Sequence, residues 1–336
     1  MILYIKALGF SEYDSREKAE ALVGEVLKEP SKRFASNHRS NQIHVEYYKE
    51  YGPHYGLVAR GELDDKEELK IHALLPYALG SQRTDTHEVD VVQGDKPDVF
   101  SGYCEESRSG TPISFFLQNV IDYWDLEDEE DVYIEGVRLA AFSIEGTVVL
   151  PIDKDEEELL LEAEEDRIRE ELLEEARRGN EEAMDILEEE ADEATEMLHE
   201  RMKSEDILSI LEGYFVPLGD DDDIYSLLGT IEKVKKLKNK VTGESIYQLV
   251  VKCMNITIDL YINVQDMVGK PMVGMRFKGS CWIHGTIDFI DSSSRRKAQA
   301  EKSAAEETGK TKEEAPPQDE DEDDWDADGE DGDFEN

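Results

Sequence analysis

The spacing of apolar positions changes several times along this chain, and each change marks a predicted segment. Residues 1–10 are a short apolar run with the length of a strand. Ser15 then reads as a helix N-cap, and Ala19, Leu22, Val23, Val26 and Leu27 recur at helical spacing until Pro30 stops the helix. From Gln42 the texture becomes alternating in IHVEYYKEY, YGLVARGEL and LKIHALLPYALG, with turn residues between the runs. That is the pattern of antiparallel hairpins. THEVDVV and PDVFSGYCEE continue it more weakly. Thr111-Pro112 predicts a helix start, a capping residue followed by proline at the first helical position. Ile113, Phe116, Leu117, Val120, Ile121 and Trp124 would be its buried face. VRLAAFSIEGTVVLPI reads as a closing hairpin that turns at Glu145-Gly146. Residues 1–152 are thus expected to be an α+β domain with an antiparallel sheet and two packing helices.

Residues 153–215 change period again. Leu161, Ile168, Leu172 and Ala176 make a narrow apolar stripe among glutamates, and Gly179-Asn180 breaks it. Met184, Leu187, Ala191, Ala194 and Leu198 then alternate 3 and 4 apart, a coiled-coil-like seam. The expectation is an acidic helical hairpin, followed by a shorter helix from Ser204 that ends at Gly213. Over residues 224–290 the pattern is β throughout. IYSLLGTIEKVKKLKNK, SIYQLVVKC, ITIDLYINV, MRFKGSCWI and HGTIDFI read as five short strands, with glycines where strands bend. Five strands of this kind fit a small OB-like β-barrel, with a small open meander as the alternative. Residues 291–336 are poor in apolar positions and rich in charge, which predicts a disordered acidic tail, with Trp325 and Phe334 as its isolated aromatics.

Charge sharpens this division. The formal net charge is −45 over 336 residues. About 18 of those units fall in residues 154–213, and about 14 follow Lys312, where no basic residue remains. The acidity therefore belongs to two segments, and it favours basic partners over nucleic acid or anionic membranes. Three cysteines, Cys104, Cys253 and Cys281, lie far apart without CxxC spacing, which predicts free thiols in a reducing compartment. No secretory signal is evident, and no apolar run nears the ~20 residues that a membrane span needs. The expected location is cytoplasmic.

Candidate chemistry is sparse. His44, His54, His72 and His87 could meet on a sheet face, but none has helical ligand spacing or an HExxH context, so no metal or cofactor is expected. No Walker loop or nucleophile elbow is present. Arg108-Ser109-Gly110-Thr111 before a helix start could hold an anion on free N–H groups, although Glu105 and Glu106 stand beside it. Lys233, Lys235, Lys236, Lys238 and Lys240 crowd the end of one predicted strand, with Tyr247 and Trp282 on later ones. Lysines along a backbone and aromatics under the bases is the physics of single-strand binding. The same lysines also discourage strand-edge pairing, and the aromatics serve equally as core. Asp220–Asp223 lacks the spacing of a calcium loop and reads as a linker.

Four stretches carry a resemblance: YIKALGF at the start, YGLVARGEL, ISFFLQN, and SILEGYFVPLGDDDDIYSLLGTI leading to RFKGSCWIHGTIDF. Through them the chain resembles a family of cytosolic proteins of anaerobic Gram-positive bacteria described as a domain of unknown function, over about residues 1–290. The resemblance supports the order of segments and implies no active-site residue. The expected function is a non-enzymatic intracellular binding or scaffold protein with a protein partner. The alternative is a single-stranded nucleic-acid-associated protein that uses the basic strand, masked by its own acidic tail. An enzyme sited around the histidines has the least support in the residues.

Overall fold

The computed structural model describes residues 2–294 except 38–42, 65, 67, 95, 97, 98, 128 and 220–222. The tail expected over residues 291–336 lies, from residue 295 on, outside the described residues, as does most of the Asp220–Asp223 linker. The chain opens with a 3-10 helix, Ile2–Leu8, where a strand was expected. Ile5, Ala7, Leu8 and Phe10 are all buried. Leu3 is 58% exposed, and a run this short carries no period that separates helix from strand. Helix α1 (Arg16–Lys28) is capped as expected, with the Ser15 side chain accepting from the Lys18 N–H and Leu22 and Val26 buried.

Four antiparallel strands make the first sheet: β1 (Lys32–Ser36), β2 (Ile43–Gly52), β3 (Tyr55–Leu63) and β4 (Leu69–Ala78), in that spatial order. β2, β3 and β4 are the three alternating runs. The second sheet begins with β5 (Thr86–Gln93), β6 (Phe100–Glu106) and β7 (Pro112–Leu117), followed by helix α2 (Val120–Leu126). β7 corrects the helix expected from Thr111-Pro112. Its five residues after the proline are all buried, so both faces are covered and the apolar spacing mimics a helix. β8 (Val132–Val149) is one strand rather than a hairpin. A Cβ on Gly146 would stand 2.5 Å from the Phe277 ring, so that glycine marks close packing and not a turn.

Helices α3 (Glu156–Arg177) and α4 (Glu181–Arg201) follow. The expected third helix shrinks to α5 (Ile207–Ile210), because the chain beyond it extends into β9 (Tyr214–Pro217). β10 (Ile224–Lys238), β11 (Ser245–Cys253), β12 (Ile256–Asn263), the two-residue β13 (Met267–Val268) and β14 (Arg276–Asp291) complete the described chain. β14 unites the two strands expected as MRFKGSCWI and HGTIDFI. Its glycines allow close approach: a Cβ on Gly279 would lie 2.5 Å from the Glu145 carbonyl, and one on Gly285 2.2 Å from the Phe115 ring.

The second sheet runs β13-β8-β12-β11-β10-β14-β7-β6-β5, with β9 on β10. β14 also pairs with β8, so pairings pass in a ring through β8, β12, β11, β10 and β14. Residues 224–290 therefore supply four of those strands, and the fifth, parallel to β12, comes from before the acidic insert. The segments expected as separate domains over 1–152 and 224–290 share this sheet, and Met1–Ile290 forms one unit. β8 shows why. Leu139 and Ala141 join the cluster within the ring, beside Leu249, Ile258, Leu260 and Phe277. Ala140 and Phe142 face the other way, into a cluster with Phe10, Tyr55, Leu57 and Tyr261 that ties the first sheet, α1 and the 3-10 helix to the ring. The architecture is a mixed α and β structure with large sheets. Among the described residues, no helix is long and apolar enough to cross a membrane.

Gly285→Ala tests the packing at the β14–β7 contact. The new methyl has no room beside Phe115, and overpacking of a filled core costs about 1–3 kcal/mol. A chemical denaturation curve for the variant should shift by that amount with its slope unchanged.

Candidate functional site

The acidic insert is built as a hairpin by local chemistry. Asp155 and Glu158 form a reciprocal capping box at the start of α3. Gly179, at φ +88°, ends that helix in a left-handed conformation that suits glycine. Asn180 then caps α4, accepting from the Glu182 and Ala183 N–H groups. The two helices pack on each other, with Ala183 buried, and Leu172, Ala176, Leu187 and Leu198 half-buried. Arg169 reaches Glu190 across the pair at 4.0 Å. Met184, Ala191 and Ala194, expected in the seam, stay exposed. The seam is only partly closed.

Arginines fix the hairpin to the body at both ends. At the base the buried Arg276 guanidinium donates to the carbonyls of Leu150 at 2.8 Å, Leu211 at 2.6 Å and Leu208 at 2.6 Å, which joins the insert's entry and exit. Lys154 bridges Glu162 and Glu212 at 2.6 and 2.8 Å beside it. Near the tip, Arg177 donates to the Ser107 carbonyl at 2.5 Å and pairs with Glu105 at 2.7 Å. Between α3 and the body lies a cleft of about 830 Å³, lined by Glu158, Glu162, Asp166, Arg169, Arg201 and Lys252 among others.

Arg177 lands on Glu105 and Ser107, just before the loop 108–111 that was considered for anion binding. That loop is a turn between β6 and β7, and the buried Glu106 carboxylate already accepts from the backbone N–H groups of Arg108 and Ser109 at 3.1 and 2.7 Å. An internal anion fills the place where an external one would bind.

A second polar cluster lies in the N-terminal half, where β2 and β3 pass under α2. The pairing sets His44 opposite Glu62 and Glu46 opposite Arg60. Glu46 and Arg60 are buried and meet at 2.7 Å. Tyr48 donates to Glu46 at 2.8 Å, and Arg60 donates to the Leu117 and Gln118 carbonyls at 2.9 and 2.5 Å. Burial pushes the Glu46 carboxyl upward, against the pull of Arg60 and Tyr48. His72 sits 3.3 Å from Glu62. His44 stands edge-on to Trp124, and burial holds its pKa below the usual histidine value. The gap among these residues is small, about 20 Å³, room for about one water-sized body. Of the four histidines singled out in the sequence, this brings together His44 and His72. Among the described residues, no three His, Cys, Asp or Glu side chains form a metal-ligand set. Burial pushes the thiols of Cys104 and Cys253 up to about 12, and that of Cys281 higher, which makes all three poor nucleophiles.

The basic strand is β10. Lys233, Lys235, Lys236, Lys238 and Lys240 are all exposed. Val234 packs towards the ring and Leu237 towards the cluster beneath the first sheet, so strand alternation divides the lysines between two faces. Tyr247 is half-buried opposite Lys236. Trp282 is buried against Tyr4, Phe116 and His284 and is no platform for a base. The strand offers charge without the stacking surface that single-strand binding uses. Arg276 and the Glu46–Arg60 pair went unremarked in the sequence, where Glu106 stood only as an acidic neighbour of the anion loop. Their signal is a charged residue inside an otherwise apolar β run, as in VARGEL and MRFKG.

A family model described as "Domain of unknown function, E. rectale Gene description (DUF3881)" matches residues 5–285, and the chain belongs to that family. The match takes in both sheets and the hairpin. No curated protein matches the chain. No solved structure matches it either.

Two outcomes follow from the buried groups. Arg276→Met removes three charge-assisted bonds and leaves three carbonyls without their donor. The expected loss is about 3–5 kcal/mol, with protease cleavage appearing first in residues 150–213 on a timed digest. His284 is buried between Phe116, Phe142 and Trp282, and neither ring nitrogen has a hydrogen-bond partner among the described residues. Burial holds its pKa well below 6.5. The unfolded chain therefore takes up this proton first, and the associated stability is present above about pH 6.5 and lost as pH falls towards the folded value. His284→Leu should keep more of its neutral-pH melting temperature at pH 5 than the parent does.

Proposed function

We propose that this protein is a non-enzymatic binding protein, a scaffold whose partner-facing element is the α3–α4 hairpin. The carrying observation is the contrast between a firmly held hairpin and its open surface. Arg276 clamps the base and Arg177 the tip, yet Leu161, Ile168, Ile186 and Met197 remain 38–65% exposed. A rigid mount lowers the entropic cost of binding at such a surface. The polar clusters elsewhere support the same reading, since Glu106, Glu46 and Arg60 are committed to internal bonds. We also infer that the five-strand ring is an OB-like barrel whose fifth strand, β8, precedes the others in the chain. The ring of pairings and the side chains filling it support that description. Three free cysteines, two of them buried, suit a reducing cytoplasm.

Photo-crosslinking in cells tests the reading. A photoreactive phenylalanine analogue at Leu161 should capture a defined protein, while the same analogue at Val92, exposed on β5, should not. Equal capture at both positions, or none at Leu161, overturns the hairpin as the binding element.

A further inference from the structure

The hairpin's surface carries more information than its exposure, because its geometry divides it into faces. In α3 the residues that line the cleft towards the body include Leu159, Glu162, Ala163 and Asp166. At 100° per residue, Leu161 and Ile168 point away from that side, on a line that Leu172 continues into the seam. In α4, Ile186 and Met197 are eleven residues apart, three turns, and lie on one line at the edge of the apolar arc centred on Ala183 and Leu187. The Arg169–Glu190 pair sets the register of the two antiparallel helices. It places Leu161 level with Met197 and Leu172 level with Ile186, on the side turned away from the body. Leu161 is 59% exposed, Ile168 42%, Ile186 38% and Met197 65%. Together they form an apolar groove that runs along the outer side of the hairpin.

The rims of this groove carry one sign. The two helices hold 21 carboxylates against four arginines. Arg167 is held by Glu164 and Glu171 on its own helix, and Arg177 by Glu105. Glu164 and Glu171 flank the groove on α3, and Glu182, Glu189 and Glu193 flank it on α4, by the same helical spacing. A second copy of the chain would bring the same negative rims against these, and like charges in juxtaposition oppose docking. A groove with apolar residues about one and two turns apart and acidic walls complements an amphipathic helix with a basic polar face.

We propose that the outer groove between α3 and α4 docks a basic amphipathic helix of a partner protein, its apolar stripe on Leu161, Ile168, Ile186 and Met197 and its lysines or arginines on the glutamate rims. This rests on the reading of the hairpin as the binding element and names the chemistry of what it binds. The docked segment completes a three-helix bundle, which gives the partly closed seam the third wall that two helices leave open.

The test uses the full chain and two labelled peptides of about 18 residues, about five turns of helix. Both contain the same leucines, lysines and alanines; one has the leucines in a stripe at helical spacing, and the other has them scattered. Fluorescence anisotropy should show the striped peptide binding about tenfold or more tighter than the scattered one. The double variant Ile168→Asp with Met197→Asp should weaken the striped peptide about tenfold or more, with circular dichroism unchanged because both residues are exposed. Attraction by charge alone predicts the reverse, since the variant is more acidic. Equal affinity for the two peptides, or unchanged or tighter binding by the double variant, overturns the proposal. So does a parent chain that sediments as a dimer and becomes monomeric in the double variant, which would make a second copy the occupant. Should this variant lose its helical signal, Ile168→Ser with Met197→Ser replaces it under the same criteria. Crosslinking at Leu161 together with failure of the peptide test would leave the binding role standing and remove only this partner chemistry.

Discussion

Everything in the described chain depends on β8 being buried on both of its faces. Leu139 and Ala141 join one buried cluster with Leu249, Ile258, Leu260 and Phe277, while Ala140 and Phe142 back onto the first sheet and the N-terminal 3-10 helix. One strand thus belongs to two cores at once. Because it pairs parallel with β12, the chain must travel from one end of the ring to the other between them, and the acidic insert lies within that passage. Parallel pairing demands a long connection, and part of it here, ahead of β9, β10 and β11, is the acidic insert, a folded element in its own right.

That element is held by hydrogen bonds to backbone rather than by a large apolar interface. Only Ala183 is buried within the two helices. Arg276 compensates by gathering three carbonyls from the insert's two ends, which would otherwise be partnerless near the core. Burial disfavours its charge, and its ordinary pKa is lowered accordingly, yet three short bonds offset that cost. The hairpin is therefore a surface structure on a rigid foundation. Its glutamates give that surface a strongly negative field, which disfavours anions.

Among the described residues, buried charge follows one rule. Glu106 fills the turn after β6, Glu46 faces Arg60, and Arg276 faces carbonyls. Each is satisfied by a group distant in sequence or by a local turn, so each positions structure. His284 is the exception: it is enclosed by aromatic rings with neither nitrogen bonded among the described residues. A neutral imidazole tolerates that site, and a charged one does not.

Much of the local structure was legible from residue order alone. The alternation of IHVEYYKEY, YGLVARGEL and LKIHALLPYALG gives β2, β3 and β4, and Ser15, Gly179 and Asn180 mark helix boundaries where they fall. These signals are local, because capping and two-sided strands are decided by neighbours within a turn or a hairpin. Short runs without a clear polar face were not legible. PISFFL is covered on both faces and residues 2–8 are too few to show a period, so strand and helix exchange places in the reading. Glycines at 146, 279 and 285 read as breaks, whereas they are points of close approach to Phe277, Glu145 and Phe115. The sequence by itself determined where charge collects, where helices begin and end, and which strands alternate. Only the tertiary structure decided that β8 closes the ring, that Arg276 anchors the insert and that Trp282 is core. Those outcomes rest on partners more than sixty residues apart, which no local pattern encodes.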